Sequence, residues 1–288
     1  MVANRIAQTL AFRPARDSHG TVHRVENRST DLLADAAARA RRYLERIGDR
    51  AVVPSPEAVL ALGELDIPLP ETGLEPAQVL AALDDVGSPA TVASAGPRYF
   101  GFVTGGAWPI AVAASWLLAA WDQNTALSVM SPVATHLDAV AIRWVCQLLG
   151  LPAETSGGFV SGASMANATC LAAARDAVLA RTGWDAAALG LPGAPPVQVV
   201  VGDEVHATVL KAVGLIGLGR GRALRLPTDG QGRIVPADLP DLDTPAIVCL
   251  QAGNVNSGAS DPFGSLIDWS TTQSDVDRSI AAVLAAAR

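Results

Sequence analysis

The chain has 288 residues, half of them hydrophobic, and a formal net charge of −7. This length fits one large core or two domains, and the acidic balance argues against a nucleic-acid-binding surface. The three cysteines, Cys146, Cys170 and Cys249, lie in apolar runs and lack metal-ligand spacing, so we expect buried free thiols and no metal site. Free thiols fit a reducing compartment, which predicts a cytoplasmic protein.

The first twenty residues lack the apolar region and the small-residue cleavage site of a signal peptide. The longest apolar stretch, AWPIAVAASWLLAAW (107–121), is shorter than the roughly 20 residues that a membrane span needs. We interpret it as a buried helix and expect no membrane partner.

Helical patterns dominate the first half of the chain. Residues 29–49 place apolar side chains at helical spacing, and residues 75–89 predict a short helix with Pro76 in its first turn. The clearest helix is predicted over 131–152, where Ser131 is the cap. Its apolar stripe consists of Leu137, Val140, Ala141, Trp144, Val145 and Leu148.

From residue 157 onward, short apolar strands alternate with helices. The predicted strands are 157–161, 197–202, 222–227 and 246–251, and the helices between them are 165–181 and 206–217. This alternation is typical of a parallel sheet covered on both faces. A last helix is predicted near the end of the chain, where Thr272 and Asp275 form a capping box.

Small or polar residues follow three of these strands. The turn SGASMAN (161–167) suits a phosphate, because it directs backbone N–H groups and the helix dipole at one point, but small residues also serve tight packing. His206 is either functional or structural, and Asp203 and Glu204 either orient it or cap the next helix. The segment QAGNVNSGASDPF (251–263) is either a binding edge or an ordinary loop. Together the three strand ends predict a site on one rim of the sheet.

Lys211 is the only lysine in the chain and follows His206 by five positions. On one helix, five positions separate two side chains by about 140° at about 3.6 residues per turn. If His206 faces a ligand, Lys211 faces away from it. We therefore interpret Lys211 as a solvated or packed residue rather than a Schiff-base amine.

Five collinear segments also carry a family resemblance: RYFGFVTGGAWPIAVAASWLLAAWDQN (98–124), SPVATHLDAVAIRWVCQLLGLP (131–152), GGFVSGASMANATCLAAARDAVLAR (157–181), DEVHATVLKAVGLIGLG (203–219) and CLQAGNVNSGASDPF (249–263). As a set they resemble the pyridoxal-phosphate-dependent group II amino-acid decarboxylases, which include the aromatic-L-amino-acid decarboxylases. The resemblance implies an aminotransferase-like α/β fold of type I, with three layers and a mostly parallel sheet. It also implies a homodimer that converts an α-amino acid into an amine and CO₂.

The resemblance assigns roles to particular residues. Residues 100–106 and 122–124 would border the substrate pocket and the dimer contact. The residues implied to bind pyridoxal 5′-phosphate are Ala163 and Ser164 at its phosphate, His206 stacked on its pyridine ring, and Asn254 and Asn256 in the loop beside it.

After Gly264 the sequence departs from the family pattern. Family members continue with an HVDxA strand, whose Asp pairs with the pyridine nitrogen, and later with an HK that supplies the Schiff-base lysine; neither motif is present. We interpret the chain as an internally deleted, truncated member with impaired activity and no assigned catalytic residue. Its expected parts are an N-terminal helical segment (1–90), an incomplete cofactor-binding large domain (91–264) and a C-terminal helix left from the small domain (265–288).

Three functions are therefore considered. The first is an amino-acid decarboxylase by descent, and the second is a non-catalytic remnant that binds the cofactor or dimerises. A nucleotide-binding α/β domain is less favoured, because the chain has neither a G-x-G-x-x-G after its first strand nor a P-loop lysine.

Overall fold

The computed structural model describes residues 28–102, 104–242 and 244–266. These residues divide into two compact units, one that ends at Ala114 and one that begins at Ser115. The helix predicted around Thr272 and Asp275 lies outside the described residues. The boundaries expected after residues 90 and 264 stay predictions.

The N-terminal unit contains helices in the two segments where the sequence predicts them, 29–49 and 75–89, and a further short helix between them. They are α1 (Arg28–Arg46), α2 (Pro56–Ala61) and α3 (Pro76–Ala82), and a π-helical turn, Leu83–Gly87, extends α3. The Ser55 hydroxyl caps α2 by accepting from the backbone N–H of Ala58 at 3.2 Å.

Charged side chains join α1 to the π-helical turn. The Arg39 guanidinium donates to Asp35 at 3.0 Å and to Asp84 at 3.1 Å. The Ser88 hydroxyl donates to Asp84 at 2.6 Å, and this bond, followed by Arg39, lowers the pKa of the Asp84 carboxyl. Polar contacts of partly exposed groups thus contribute to this unit.

Two further helices, α4 (Pro109–Trp121) and α5 (Pro132–Leu148), form where the sequence predicts them. Ser131 caps α5 by accepting from the backbone N–H of Ala134 at 3.4 Å, and Pro132 occupies the first turn. The predicted burial of residues 107–121 is wrong, since no residue of α4 is buried and Trp108 is 76% exposed. The reason is that apolar character does not by itself supply a covering surface: in α4 only Val112 and Trp116 are half-buried, and its other residues are exposed.

Parallel strands form the sheet in the order β2–β1–β3, with β1 (Gln198–Gly202) between β2 (Leu224–Leu226) and β3 (Ala246–Cys249). Val200 of β1 is in register with Leu224 on one side and Val248 on the other. The predicted strand at 157–161 is wrong. Within the described ranges these residues pair with no strand, and Phe159 and Val160 are exposed.

Helices α6 (Ala163–Arg181) and α8 (Ala207–Leu215) pack on one face of the sheet, and the four-residue α7 (Ala186–Leu189) lies between them in sequence. On this face Leu171 and Val213 belong to the same buried cluster as Val199 and Ile247. The opposite face buries residues of the strands beneath Ile234, Leu242 and Leu266, and Leu266 lies in a helical segment at 263–266. The predicted parallel α/β arrangement is confirmed. In the described residues, loop segments and the helical segment at 263–266 cover the second face of the sheet.

The three cysteines are free, but only Cys249 is buried. Cys146 is half-buried and Cys170 is exposed, so the burial expected for all three is wrong. Cys249 alternates inward from β3, whereas Cys170 lies on the outer side of α6. Among the described helices, none has the combined length and apolar character that crossing a lipid bilayer requires.

Candidate functional site

The first predicted element of the site is the N-terminus of α6. Gly162 precedes this 19-residue helix and provides no side-chain cap. Ala163 and Ser164 occupy the first turn and are exposed. Because the first N–H groups of a helix lack partners within it, this turn offers donors and the positive end of the helix dipole to an anion.

The second element is His206, which lies between the carboxyl end of β1 and α8. His206 is the N-cap of α8, with an extended backbone, and its Nδ1 accepts from the backbone N–H of Thr208 at 3.3 Å. It thus takes the capping role considered for Asp203 and Glu204. The assumption that His206 and Lys211 share one helix is wrong, since only Lys211, the fifth residue of α8, is helical; its side chain is exposed.

A hydrogen bond brings these two helix N-termini together. The Asn167 amide nitrogen donates to the Thr208 hydroxyl at 3.0 Å. Asn167 lies one turn after Ser164 on α6, and Thr208 lies two residues after His206. The sequence placed Asn167 at the end of the SGASMAN turn without a role of its own, and Thr208 was not predicted. The sequence signal that could have identified them is their position, because each follows a predicted site residue within about one helical turn.

The third element, the loop after β3, is joined to the His206 loop through Asn254. The buried Asn254 amide nitrogen donates to the Glu204 carboxylate at 2.9 Å. The Asn254 carbonyl accepts from the backbone N–H groups of Asn256 at 2.9 Å and Ser257 at 3.4 Å. The Asn254 amide is therefore engaged in holding the loop, whereas the Asn256 side chain is exposed.

Gly232 closes over the Glu204–Asn254 pair. Its φ is +77°, and a Cβ at this position would overlap the Asn254 amide and lie 2.6 Å from Glu204 Oε2. Both the left-handed backbone and the close approach require glycine. The Ser257 hydroxyl donates to the Gln231 carbonyl at 2.6 Å, which fixes the same turn to the loop after β3.

Asp261 anchors the base of this loop. Its buried carboxylate accepts from the backbone N–H of Ile234 at 2.9 Å and from that of Gln251 at 2.6 Å. The end of β3 and the turn containing Gly232 are therefore tied to one side chain. Sequence reasoning placed Asp261 in the DPF motif without giving it this role.

These loops enclose a small cleft at the carboxyl edge of the sheet, lined by Gly202, Glu204, His206, Cys249, Gln251 and Asp261. Burial raises the pKa of the Cys249 thiol to about 12, so the thiol stays protonated near neutral pH and is a poor nucleophile. In the part of the chain that the structure describes, no three His, Cys, Asp or Glu side chains are placed to hold a metal ion.

The arrangement fits part of the cofactor implied by the resemblance. The uncapped first turn of α6 suits a phosphate, and the exposed His206 ring beside it suits an aromatic ring. The arrangement does not provide for covalent attachment, because Lys211 is the only lysine in the chain and its side chain is exposed on α8.

Comparison with known proteins identifies relatives in sequence and in fold. The family model described as "Pyridoxal-dependent decarboxylase conserved domain" matches residues 56–268. Tryptophan decarboxylase 1 of Oryza sativa subsp. japonica is 30% identical over 195 residues, which cover 60% of this chain and 37% of that protein. The aromatic-L-amino-acid decarboxylase of Bacillus atrophaeus is 26% identical over 249 residues, which cover 83% of this chain and 48% of that protein.

The fold is similar to the crystal structure of Oryza sativa TDC with PLP and tryptamine. The TM-score is 0.74 at 23% identity, and the match covers 94% of this chain and 58% of that chain. The chain spans less than half the length of the two curated relatives described above. The match to the family model extends over well more than half of the chain, and it confirms the resemblance carried by the motifs. The chain belongs to the pyridoxal-dependent decarboxylase family.

Proposed function

We propose that this chain binds pyridoxal 5′-phosphate where the N-termini of α6 and α8 meet, as part of a decarboxylase that converts an α-amino acid into an amine and CO₂. The observation that carries the proposal is the Asn167–Thr208 hydrogen bond of 3.0 Å, which holds the two helix N-termini side by side. Membership of the family supports the choice of cofactor and reaction.

Each part of the cofactor has a candidate partner in this chain. The backbone N–H groups of Ala163 and Ser164 and the Ser164 hydroxyl would bind the phosphate. The His206 ring would support the pyridine ring, and Asn254 would hold the loop that carries Asn256 beside it. When bound, pyridoxal phosphate supplies an electron sink for the carbanion left by loss of CO₂.

Covalent attachment is the step that this chain supports least. An enzyme that uses a Schiff base needs a positioned lysine amine, and Lys211 is exposed on α8. We propose that the chain binds the cofactor without a covalent bond and that its activity is impaired, with the deletion after Gly264 as the cause. A non-catalytic cofactor-binding remnant is the alternative that this geometry favours.

A cofactor titration followed by borohydride reduction tests the proposal. Pyridoxal phosphate is titrated into the purified chain, the mixture is reduced, and modified peptides are mapped by mass spectrometry. We expect saturable binding and no stoichiometric modified residue. A stoichiometric adduct on Lys211 would contradict the non-covalent proposal, and absence of saturable binding would contradict the site.

We also propose that the chain forms a homodimer through the apolar surfaces of α4 and α5. Neither helix contains a buried residue, and Leu148 of α5 is 86% exposed. Phe102, which precedes α4, is 94% exposed. Extended apolar surfaces of this kind mark interaction sites in proteins that remain in solution.

Sedimentation velocity of matched variants tests this assembly. Leu148→Glu places a charge on α5, whereas Leu189→Glu places the same charge on the exposed apolar side chain of α7. We expect the native chain and Leu189→Glu to sediment as dimers. Leu148→Glu should form a weaker dimer, which dissociates at protein concentrations where the native chain is still dimeric. A native chain that is monomeric at every concentration, or an unchanged Leu148→Glu dimer, would contradict the proposal.

We further propose a cytoplasmic location. Cys146, Cys170 and Cys249 are free, and free thiols are typical of reducing compartments.

A further inference from the structure

Asn167, Thr208 and His206 form a continuous chain of hydrogen bonds, which we call the relay. The Asn167 amide nitrogen lies 3.0 Å from the Thr208 hydroxyl oxygen, and this oxygen lies 2.8 Å from His206 Nδ1. The backbone N–H of Thr208 also points at His206 Nδ1, at 3.3 Å. Two groups of the same residue therefore meet one ring nitrogen.

The backbone N–H of Thr208 determines where the imidazole proton resides. An N–H group can only donate, so the Nδ1 atom that it meets must present a lone pair. The single proton of the Thr208 hydroxyl is then directed at the same nitrogen. The hydroxyl oxygen in turn accepts from the Asn167 amide, so the hydrogen bonds run in one direction, from Asn167 through Thr208 to His206 Nδ1.

We propose that Asn167 and Thr208 are positioning residues that hold His206 in its neutral tautomer with the proton on Nε2. Rotation of the ring would break both contacts to Thr208, so the ring orientation is fixed as well as the tautomer. The Nε2–H group can then only donate. It would recognise an acceptor oxygen on a bound ligand, such as that of a phosphate, carboxylate or phenolate.

The burial of Asn167 supports a role for its amide in the relay. Asn167 is only 2% exposed, and the next residues inward on α6, Ala168 and Leu171, belong to the apolar cluster beneath. A buried amide is unfavourable unless it is hydrogen-bonded, and its amide nitrogen bonds the Thr208 hydroxyl. Asn167 thereby orients the hydroxyl proton toward His206.

The tautomer can be measured directly by NMR of the chain labelled with ¹⁵N-histidine. Long-range ¹H–¹⁵N spectra at a pH where the imidazoles are neutral distinguish a protonated ring nitrogen from an unprotonated one. The chain has four histidines, and the His206→Gln spectrum identifies the signals of His206. We expect His206 to show an unprotonated Nδ1 and a protonated Nε2, whereas a protonated Nδ1 would overturn the proposal.

Substitutions in the relay separate positioning from folding. Thr208→Val removes the hydroxyl but keeps the backbone N–H, so it should shift the His206 signals only partway toward those of the tautomer protonated on Nδ1. Thr208→Ser should keep the native signals. Asn167→Leu should cause a smaller shift than Thr208→Val, and His136 on α5 serves as the internal control in all variants. Unchanged His206 signals in Thr208→Val would overturn the role of the hydroxyl. A shift of the His206 signals in Thr208→Ser equal to that in Thr208→Val would also overturn the role of the hydroxyl. Both tests remain valid if Asn167→Leu fails to fold.

The inference rests on the proposed function only for the identity of the ligand. The spectra are recorded without cofactor, so failure of pyridoxal phosphate to bind leaves the test of the tautomer intact.

Discussion

The sheet and helix α4 are similarly apolar in sequence, but the strands are buried in the structure and the helix is not. Strands β1 and β3 are buried on both faces, between α6 and α8 on one side and the segments that carry Ile234, Leu242 and Leu266 on the other. Helix α4, with the sequence PIAVAASWLLAAW, contains no buried residue. An apolar sequence therefore indicates that a segment will contact another surface. It does not show whether that surface belongs to the same chain or to a partner.

The candidate site lies beside the buried sheet. The relay and the Glu204–Asn254 pair lie at the edge of the region with the buried core. A rigid base of this kind can hold a ring and a phosphate in fixed positions. The exposed apolar helices α4 and α5, in contrast, are suited to assembly.

The largest difference between the two regions is expected when one leucine in each is replaced by alanine. Leu171 of α6 is fully buried against the sheet, so Leu171→Ala should lower the free energy of unfolding by about 2–5 kcal/mol. Leu148→Ala on α5 should change it by less than about 0.5 kcal/mol in the dissociated chain. Urea denaturation of both variants measures the difference, and equal losses would contradict the burial assigned to the two helices.

Removal of the buried carboxylate of Asp261 should have the next largest effect. Asp261→Ala leaves the backbone N–H groups of Ile234 and Gln251 without their acceptor, at a cost of about 1–3 kcal/mol for a buried group. The matched Asp176→Ala removes a partly exposed ion pair with Arg175 and should cost about 1 kcal/mol or less. Hydrogen exchange should show faster opening at Ile234 and Gln251 only in Asp261→Ala.

Cysteine reactivity compares the inner and outer surfaces of the sheet region. Cys170 is exposed on α6, whereas burial raises the pKa of Cys249 to about 12. Iodoacetamide should therefore modify Cys170 in the folded chain and reach Cys249 only after unfolding. Mass spectrometry of the peptides over time provides the measurement, with the denatured chain as the control. Similar rates for both thiols in the folded chain would show that the sheet region opens easily.

The smallest effect is expected from Asp229, in the exposed turn before Gly232. Hydrogen bonds from the Arg233 backbone, the Arg233 side chain and the Gln231 backbone lower the pKa of Asp229 to about 2. A carboxyl whose pKa is lowered by folding contributes stability above its unfolded pKa, and this contribution is lost as the pH falls through the folded value.

The contribution of Asp229 should accordingly decline between about pH 4 and pH 2. Asp229→Asn should flatten the pH dependence of the unfolding free energy in that window. Denaturation of the two chains at several pH values checks this, and parallel pH profiles would contradict the assigned cause.

Local signals in the sequence predicted much of the fold correctly. Ser131 and Pro132 begin α5 as expected, and the short apolar runs at 197–202, 222–227 and 246–251 contain the three strands. These features depend on residues close in sequence. The strand predicted at 157–161 was wrong because a strand requires a neighbouring strand, which no local pattern can guarantee.

The candidate site was predictable only in outline. His206 and Asn254 lie in the loops after β1 and β3, as parallel strand ends predict. Ala163 and Ser164 instead begin α6 after a segment that is not a strand, and Asn167 of the same helix bonds Thr208. The connections between the loops were not predictable, since Asn167 and Thr208 are 41 positions apart and meet only because α6 and α8 pack together. Likewise, the capping role of His206 depends on a backbone turn that the helical pattern did not reveal.

We propose above that the N-terminus of α6 binds the phosphate of pyridoxal phosphate. The most direct test of this proposal is the dissociation constant of pyridoxal phosphate for Ser164→Asp compared with that for Ser55→Asp, which places the same charge at the N-terminus of α2. We predict that Ser164→Asp weakens binding about tenfold or more, equivalent to about 1.4 kcal/mol, because the new carboxylate repels the phosphate. Ser55→Asp should bind as the native chain does. Equal affinities for the two variants would contradict the claim.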